Sequence, residues 1–366
     1  MKIIGTADVH AHNYKEFDKR TTQSGSRRLD YILDSLRLMK RFALDNNIEV
    51  MTISGDLFHV RNGINTVVYN GVYDTITDIA EAGITLIMIP GNHDDSSAID
   101  LSPHSLHSFK HINNVIVLDE IFQTYEHTDI KGEKVTFVGL RYTKDAKLVI
   151  QKAKELVLPT DNNILLAHLG IAGGQMASGH SMPEGYNISD LRPELFKFMA
   201  FGHFHKRQLL GANAFYCGSL LQHDFGESGQ VKGFTVMDTD TREIDFVESE
   251  TPEFFNIELG YVGDKLVSLD VGDPDVTVDK VLDALGHGHY FRFKVPENGL
   301  KDLRKVLDQL PDLMYKLEIV KEYKAEERVD VRIGMPFEEI VTKYADEFNP
   351  EAKQEGIDIL REVRGI

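Results

Sequence analysis

Carboxylate, amide and imidazole side chains follow short apolar runs at five places in the sequence. The runs lead into Asp8-Val9-His10, Gly55-Asp56, Gly91-Asn92-His93-Asp94, His168 and Gly202-His203-Phe204-His205. Each run is typical of a buried strand, and ligands bind outside the carboxyl ends of parallel strands in open α/β sheets. Strand ends that carry only oxygen and imidazole donors therefore predict one metal site at the edge of a sheet.

Each of these residues has a simpler interpretation when it is taken alone. A Gly-Asp pair after a strand is most often an ordinary turn, and a lone histidine is most often a satisfied core or surface residue. These interpretations weaken when the same pattern recurs in this order along one chain. The metal site is the interpretation that accounts for the whole set.

The donors are numerous enough for two ions. Two metal ions about 3.5–4 Å apart can activate a water and hold both the attacking and the leaving oxygen of a phosphoryl transfer. Asp56 follows the central strand and is the natural bridging carboxylate. Imidazole beside oxygen disfavours calcium and magnesium and suits manganese, iron or zinc. We expect one ion to be held by Asp8, His10, Asp56 and His205, and the other by Asp56, Asn92, His168 and His203.

His93 is better interpreted as a catalytic residue than as a ligand. Because Asn92 points at a metal, its neighbour His93 must point elsewhere, into the space for a substrate. Asp94 is expected to accept a hydrogen bond from the His93 ring and keep it protonated, as a general acid requires. His59 follows Asp56 closely and is expected to position the substrate, the alternative being a surface histidine on the turn.

The pattern of strands and helices needed to position this site predicts an α/β (α+β) fold, in which two packed sheets are flanked by helices. Further strands are predicted near Phe215 and at 232–238 and 243–248. Arg27 and Arg28 open the first helix, either as a solvated helix start or as phosphate contacts. His104, His107 and His111 favour a histidine-bearing helix face over a metal cluster. Helical periods are predicted from Arg27 onward and at 66–82, 102–109 and 144–156.

Three domains are predicted along the chain. Residues 1–250 would carry the site, 251–321 would form a small α+β capping domain, and 322–366 would be a charged tether with two helices. These helices would begin at Pro336 and Pro350, the second after Asn349 as its N-cap. They have too little core to fold alone, so we expect them to dock on a partner or to fold back on the capping domain.

Composition limits the possible partners and compartments. The chain has 366 residues and a net charge of −18, and this charge by itself argues against nucleic acid, which usually selects basic surfaces. Cys217 is the single cysteine, so no intramolecular disulfide can form and a reducing compartment such as the cytoplasm is expected. No apolar run approaches the length of a membrane span, so we expect no membrane association.

Together the five motifs resemble those of the calcineurin-like metallophosphoesterase superfamily. Two further segments resemble the SbcD-type DNA-repair nucleases within it, and the chain is similar in size to phage-encoded members. The resemblance has specific motifs from residue 1 to about residue 240, and beyond 252 it concerns only the layout. The two segments are Asp56-Leu57-Phe58-His59 and Gly218-Ser219-Leu220 followed by Asp224-Phe225-Gly226-Glu227.

The resemblance implies a manganese-dependent nuclease that acts on DNA ends, as a duplex exonuclease and a single-strand endonuclease. It implies an SbcC-type ATPase as partner of the C-terminal helices, and this partner could supply the basic surface that the chain lacks. It also implies a homodimer, formed through the helices between Thr66 and Phe109.

Two other functions stay open. The first is a phosphoesterase of the same superfamily that hydrolyses cyclic nucleotides or other small phosphodiesters. The second is a non-catalytic scaffold that keeps the fold and binds an ATPase. The complete set of ligands argues against a scaffold, because a scaffold has no need to retain every ligand.

Overall fold

The computed structural model describes residues 1–16, 22, 25–97, 99–176, 181–182, 185–270, 277–286, 288–310, 312–321 and 334–364. Residues 322–333, which include most of the predicted tether, lie outside this described part. Among the described residues, none of the helices has the length and hydrophobicity of a membrane span. Two compact units divide the chain, one of Met1–Val295 and Gly299–Glu318, the other of Pro296–Asn298 and Ile319–Ile366. The division into three domains stays a prediction.

Two six-stranded sheets form the site-bearing part of the first unit. Their strands are β1 (Lys2–Thr6), β2 (Val50–Ser54), β3 (Thr85–Ile89), β4 (Val115–Val117), β5 (Ile121–Thr128), β6 (Lys134–Leu140), β7 (Asn163–His168), β8 (Phe198–Gly202), β9 (Gln208–Leu209), β10 (Ala214–Tyr216), β11 (Gly233–Asp238) and β12 (Ile244–Glu248). The first sheet has the order β12-β11-β1-β2-β3-β4, and the second has the order β5-β6-β7-β8-β10-β9. Strands β1 to β4 are parallel, as are β6, β7 and β8.

The apolar runs of the sequence are continuous because these strands are buried on both faces. Successive side chains of a strand point to opposite faces, so Ile3 lies in the core between the sheets and Ile4 lies under the outer helices. Helices α1 (Arg27–Asp45) and α2 (Thr66–Glu81) cover the first sheet, and α3 (Ala146–Glu155) covers the second. The predicted α/β (α+β) fold of two sheets with helices outside is therefore confirmed.

The helix predicted at 102–109 is absent, and a short 3-10 helix spans His107–His111 instead. The backbone of the preceding residues bonds to the loop after β3, since Ser96 N donates to Pro103 O at 2.8 Å and Ser105 N donates to Asp94 O at 2.9 Å. His104 is therefore not on a helix face with the other two histidines. Its Nε2 lies 2.9 Å from a carboxylate oxygen of Asp119.

A third sheet follows the sandwich in the first unit. Its strands are β13 (Phe254–Val262), β14 (Lys265–Ser268), β15 (Tyr290–Pro296) and β16 (Met314–Val320), in the order β14-β13-β15-β16. Helices α4 (Val278–Leu285) and α5 (Leu300–Leu307) pack against it around a separate apolar core that includes Leu282, Phe291 and Leu303. These elements occupy the segment predicted as a small α+β capping domain.

Arg28 connects this third sheet with the sandwich. It is 4% exposed, so it is not a solvated helix start. Its Nη2 donates to the carbonyl of His223 at 2.5 Å, and its guanidinium carbon lies 4.3 Å from the ring centre of Tyr14 and 5.2 Å from that of Phe254. The first turn of α1 is thereby held between a loop of the sandwich and the start of β13.

Helices α6 (Phe337–Phe348) and α7 (Lys353–Arg364) form most of the described part of the second unit. They are tied together by ion pairs of Arg361 with Glu338 at 2.8 Å and of Lys353 with Asp346 at 2.9 Å. A 3-10 helix, Pro350–Ala352, precedes α7, so this α-helix begins three residues after the predicted Pro350. The large apolar residues exposed on the pair are Phe337, Tyr344, Phe348, Ile359 and Val363.

Candidate metal centre

The carboxyl ends of the parallel strands in both sheets meet at one edge of the sandwich. Contacts between β2 and the second sheet hold the two rows of strand ends together. Ser54 Oγ donates to the carbonyl of Ala200 at 3.1 Å, and Nδ1 of His168 lies 2.8 Å from the carbonyl of Ser54. The side chains delivered to this edge are those of Asp8, His10, Asp56, Asn92, His168, His203 and His205.

The loops after β1 and β2 continue the parallel pairing beyond the strands. Asp8 N donates to Gly55 O at 3.0 Å, His10 N donates to Asp56 O at 3.0 Å, and His59 N donates to Ala11 O at 3.2 Å. These hydrogen bonds fix the register of the two loops. As a result, the Asp8-Val9-His10 motif is held beside Asp56 rather than spread into solvent.

One half of the site gathers around His10. Its Nε2 lies 3.0 Å from Nε2 of His205 and 3.5 Å from Oδ2 of Asp56. Asp8, His10 and His205 place one donor atom each within 4.8 Å of one another. The two carboxylates and His10 are almost fully buried, with at most 2% of each residue exposed.

The other half gathers around Asn92. Its Oδ1 lies 3.0 Å from Nδ1 of His203 and 3.2 Å from Nε2 of His168. His168 Nε2 also lies 3.3 Å from Oδ2 of Asp56, the same oxygen that faces His10. Oδ2 of Asp56 therefore lies between the two halves, and Asp8 groups with Asp56 and His168 as well as with His10 and His205. The structure brings together all seven residues that the sequence predicted as ligands.

These donors fit divalent cations. His168 donates Nδ1–H to the carbonyl of Ser54, so Nε2 is the ring nitrogen that faces the Asp56 carboxylate. An outer hydrogen bond of this kind orients a histidine as a ligand, and a divalent cation between Nε2 and the carboxylate would replace the proton that Nε2 otherwise carries. Nδ1 of His10 is buried with no hydrogen-bond partner in the described part of the chain. A divalent-metal site is thus supported by the geometry.

Burial and the neighbouring charges shift the pKa values of several imidazoles in the site. Burial would lower the pKa of His168, but the Asp56 carboxylate raises it to about 9. Burial, assisted by the charge of His168, lowers the pKa of His203 to about 4. His59 is half-buried, and burial together with the neighbouring His12 lowers its pKa to about 4. A neutral imidazole is the form that binds a metal, so His203 can bind at neutral pH as it is, whereas His168 must release a proton when a metal binds.

Backbone strain is concentrated at the same residues. Asp8, His10, Asp56 and His203 have positive φ angles of 52°, 47°, 55° and 103°. A non-glycine residue in such a conformation costs about 1–3 kcal/mol, and such residues cluster at functional sites. The strain therefore marks this edge as a functional site on grounds other than the donor chemistry.

Two glycines permit the close approach of these side chains. A Cβ on Gly55 would lie 2.2 Å from Nδ1 of His168, and Gly55 also has a φ of +90°. A Cβ on Gly91 would lie 2.2 Å from Oδ1 of Asp56 and 2.5 Å from its backbone nitrogen. Any other residue at these positions would displace a proposed ligand.

His93 lies beside the donors, with its ring centre 4.8 Å from that of His10. Its Nδ1 is 2.5 Å from the carbonyl of His59, and its ring stacks on the His59 ring at 5.6 Å. The hydrogen bond expected from this ring to Asp94 is not formed, so that expectation is wrong. The structure leaves Nε2 as the ring nitrogen of His93 that can act on a substrate.

Asp94 instead holds the loops of the site in place. Its carboxylate accepts hydrogen bonds from the backbone N–H groups of Gly91 at 2.9 Å, Phe58 at 3.1 Å and Leu57 at 3.2 Å. It is fully buried, so these three donors have no access to water. The carboxylate therefore fastens the loop after β3 to the loop after β2, which carries Asp56.

Glu227 lies behind His205, and the sequence did not predict this contact. Nδ1 of His205 is 2.5 Å from Oε1 of Glu227, and Lys232 is 2.9 Å from Oε2 of the same carboxylate. Burial would raise the pKa of Glu227, but the His205 hydrogen bond and nearby positive charge hold it well below its usual range. The segment Asp224–Glu227 stood out in the sequence only as a resemblance, and its spacing gave no sign of this contact.

Residues 1–207 match the family model described as calcineurin-like phosphoesterase. A protein of Invertebrate iridescent virus 6, provisionally named phosphoesterase 244L, is 28% identical over 193 residues, which are 50% of this chain and 62% of that protein. The DNA double-strand break repair protein Mre11 of Archaeoglobus fulgidus is 25% identical over 288 residues, 71% and 61% of the two chains. The SbcD component of the nuclease SbcCD from Staphylococcus epidermidis is 24% identical over 269 residues, 67% of each chain.

The chain thus spans between 61% and 67% of the lengths of these relatives. Among solved structures, a dimetal phosphatase from Danio rerio is 13% identical over 64% of this chain and 91% of that one, with a TM-score of 0.36, which is too low to add support. The family model covers more than half of the chain, including the five strand ends that carry the proposed ligands. The chain belongs to the calcineurin-like phosphoesterase family.

Proposed function

We propose that this phosphoesterase is a manganese-dependent DNA nuclease, the nuclease subunit of an SbcCD-type complex that processes DNA ends. It would act as an exonuclease on duplexes and as an endonuclease on single strands. The observation that carries the proposal is the position of Asp56, whose Oδ2 faces His10 at 3.5 Å and His168 at 3.3 Å. The names of the Mre11 and SbcCD relatives support DNA as the substrate.

Two groups of ligands share the Asp56 carboxylate in this proposal. When bound, two manganese ions would supply an activated water and neutralise the charge that develops on the scissile phosphate. The chain itself would orient the ligands through buried hydrogen bonds, such as the one from His168 to the Ser54 carbonyl. The first ion would be held by Asp8, His10, Asp56 and His205, and the second by Asp56, Asn92, His168 and His203.

His93 would act on the leaving oxygen of the phosphodiester. Because its Nδ1–H is directed at the His59 carbonyl, the proton available for transfer is on Nε2. A positioned general acid of this kind contributes about 10²–10⁴-fold to the rate. His59, whose ring stacks on that of His93, would position the substrate next to it.

The proposed partners are DNA, an SbcC-type ATPase and a second copy of this chain. The exposed apolar residues of α6 and α7, among them Phe337 and Tyr344, support docking of this helix pair on the ATPase. The dimer would form through the segment between Thr66 and Phe109, where Val67 and Ile99 are exposed. A net charge of −18 leaves a role for the ATPase in providing basic surface for DNA.

Hydrolysis of a small phosphodiester is the second candidate function. It is favoured by the same negative charge and by the viral relative, whose name specifies a phosphoesterase and no nucleic acid. End-labelled duplex DNA, single-stranded DNA and cyclic nucleotides should therefore be compared with manganese, with and without an SbcC-type ATPase. Cleavage of DNA supports the nuclease, whereas turnover of cyclic nucleotides alone would favour the second candidate.

A further inference from the structure

His205 is held from behind by a carboxylate and a lysine that are both almost fully buried. Oε1 of Glu227 lies 2.5 Å from Nδ1 of His205. The side chains of Glu227 and Lys232 are only 3% and 4% exposed, and they form an ion pair at 2.9 Å. Charged side chains are rarely buried to this extent unless they are paired.

Lys232 holds the backbone of the same histidine. Its ammonium donates to the carbonyl of His205 at 2.9 Å and to Oγ of Ser219 at 2.9 Å, in addition to the Glu227 carboxylate. The second oxygen of Glu227 also accepts the backbone N–H of His223 at 3.0 Å. The ring and the main chain of His205 are thus fixed by two side chains that also bind each other.

We propose that Glu227 and Lys232 are positioning residues that set the tautomer and orientation of His205 as a metal ligand, an inference that rests on the proposed two-metal function. Glu227 has only acceptor atoms, so the ring must place its proton on Nδ1. Nε2 then carries the lone pair, and it faces Nε2 of His10 at 3.0 Å, inside the proposed centre. Lys232 balances the charge of Glu227 and prevents the segment of His205 from shifting.

Replacement of Glu227 by glutamine distinguishes this role from simple packing. The N–H of His223 and the ammonium of Lys232 both need an acceptor, so the carbonyl of the glutamine will turn toward them. Its amide group will then donate toward His205, and the ring will move its proton to Nε2. The lone pair that faces the centre is lost. Changes to such supporting residues cost about 10–100-fold in metal affinity.

Two measurements on the full chain test the proposal. Nitrogen-15 histidine NMR of the metal-free protein reports whether a deshielded Nδ1–H proton of His205 is present, with His205→Asn used for its assignment. Electron paramagnetic resonance of free manganese gives the binding isotherm. E227Q should lose the Nδ1–H signal and bind one of two manganese ions about 10–100-fold more weakly. E243Q, the same change at an exposed glutamate, should match the wild type in both measurements.

The double variant E227Q/K232M removes both buried charges and replaces E227Q if the single variant does not fold. The same loss of the Nδ1–H signal and of manganese affinity is expected, since the His223 N–H still requires the glutamine carbonyl. A folded variant that keeps the Nδ1–H signal and binds both ions with wild-type affinity would overturn the proposal. A wild type that binds no manganese would refute the two-metal function instead, while the NMR signal still decides the tautomer.

Discussion

The backbone N–H of His93 donates to Oδ1 of Asp56 at 2.8 Å. The residue proposed as general acid therefore also holds the proposed bridging carboxylate, but through its main chain and not through its ring. Removal of the ring leaves this hydrogen bond in place. Catalysis and metal binding should consequently be separable at His93.

H93A should lower the turnover of DNA by about 10²–10⁴-fold, because the Nε2 proton donor is lost. Manganese stoichiometry and DNA affinity should stay close to those of the wild type. Single-turnover cleavage assays and metal analysis of the same preparations check both expectations. H107A, at an exposed histidine of the 3-10 helix, is the matched control. If H93A loses bound metal, His93 belongs among the ligands.

D94N should destabilise the protein rather than change the protonation of His93. An asparagine can present only one oxygen to the three buried N–H donors, and leaving one such donor unsatisfied costs about 1–3 kcal/mol. Denaturant unfolding of the metal-free variant measures the loss. D74N, on the exposed face of α2, should have no comparable effect. Unchanged stability of D94N would mean that the Asp94 hydrogen bonds contribute little.

G91A should impair metal binding although it adds only a single methyl group at a buried position. The new Cβ would lie 2.2 Å from Oδ1 of Asp56, and the neighbouring backbone nitrogen at 2.5 Å prevents a simple shift. Calorimetric titration with manganese should show weaker binding than in the wild type. Thermal unfolding should show a lower melting temperature. G211A, where the nearest atom to the new Cβ is 3.9 Å away, should behave like the wild type. Tight binding of two ions by G91A would show that the loop can relax.

Truncation after Val331 should remove binding to the ATPase and leave the nuclease centre intact. Helices α6 and α7 would be deleted together with their exposed apolar residues, whereas the first unit ends at Glu318. Single-stranded DNA should still be cleaved with manganese, but co-purification with an SbcC-type ATPase and ATP stimulation of duplex digestion should be lost. A truncated protein with unchanged affinity for the ATPase would place the docking surface elsewhere.

The proposed ligands could be predicted from the sequence because parallel strands bring their carboxyl ends to one edge. Once Asp8, Asp56 and Asn92 are assigned to the ends of adjacent strands, the geometry of a sheet places them within reach of each other. The positive φ of Asp56 and the approach of Gly91 to it have no signature in the sequence beyond the glycine itself.

The supporting residues could not be predicted in the same way. Glu227 and Lys232 reach His205 from the loop between β10 and β11, and the spacing of a loop does not reveal which buried carboxylate meets which imidazole. The sequence predicts the His93 ring as the partner of Asp94, which is wrong because the carboxylate binds backbone N–H groups whose positions depend on how two loops pack. The helix predicted at 102–109 does not form because the backbone of these residues makes hydrogen bonds with the loop after β3.

Anomalous scattering at the manganese edge, from crystals grown with saturating manganese, shows directly whether two ions share the Asp56 carboxylate. We expect two peaks about 3.5–4 Å apart at the carboxyl ends of β1, β2, β3, β7 and β8, with the Asp56 carboxylate in contact with both. D56A should lose both peaks or retain one at reduced occupancy, and its cleavage of DNA should be almost abolished. A single peak in the wild type, or two peaks of which only one contacts Asp56, would rule out a two-metal centre bridged by Asp56.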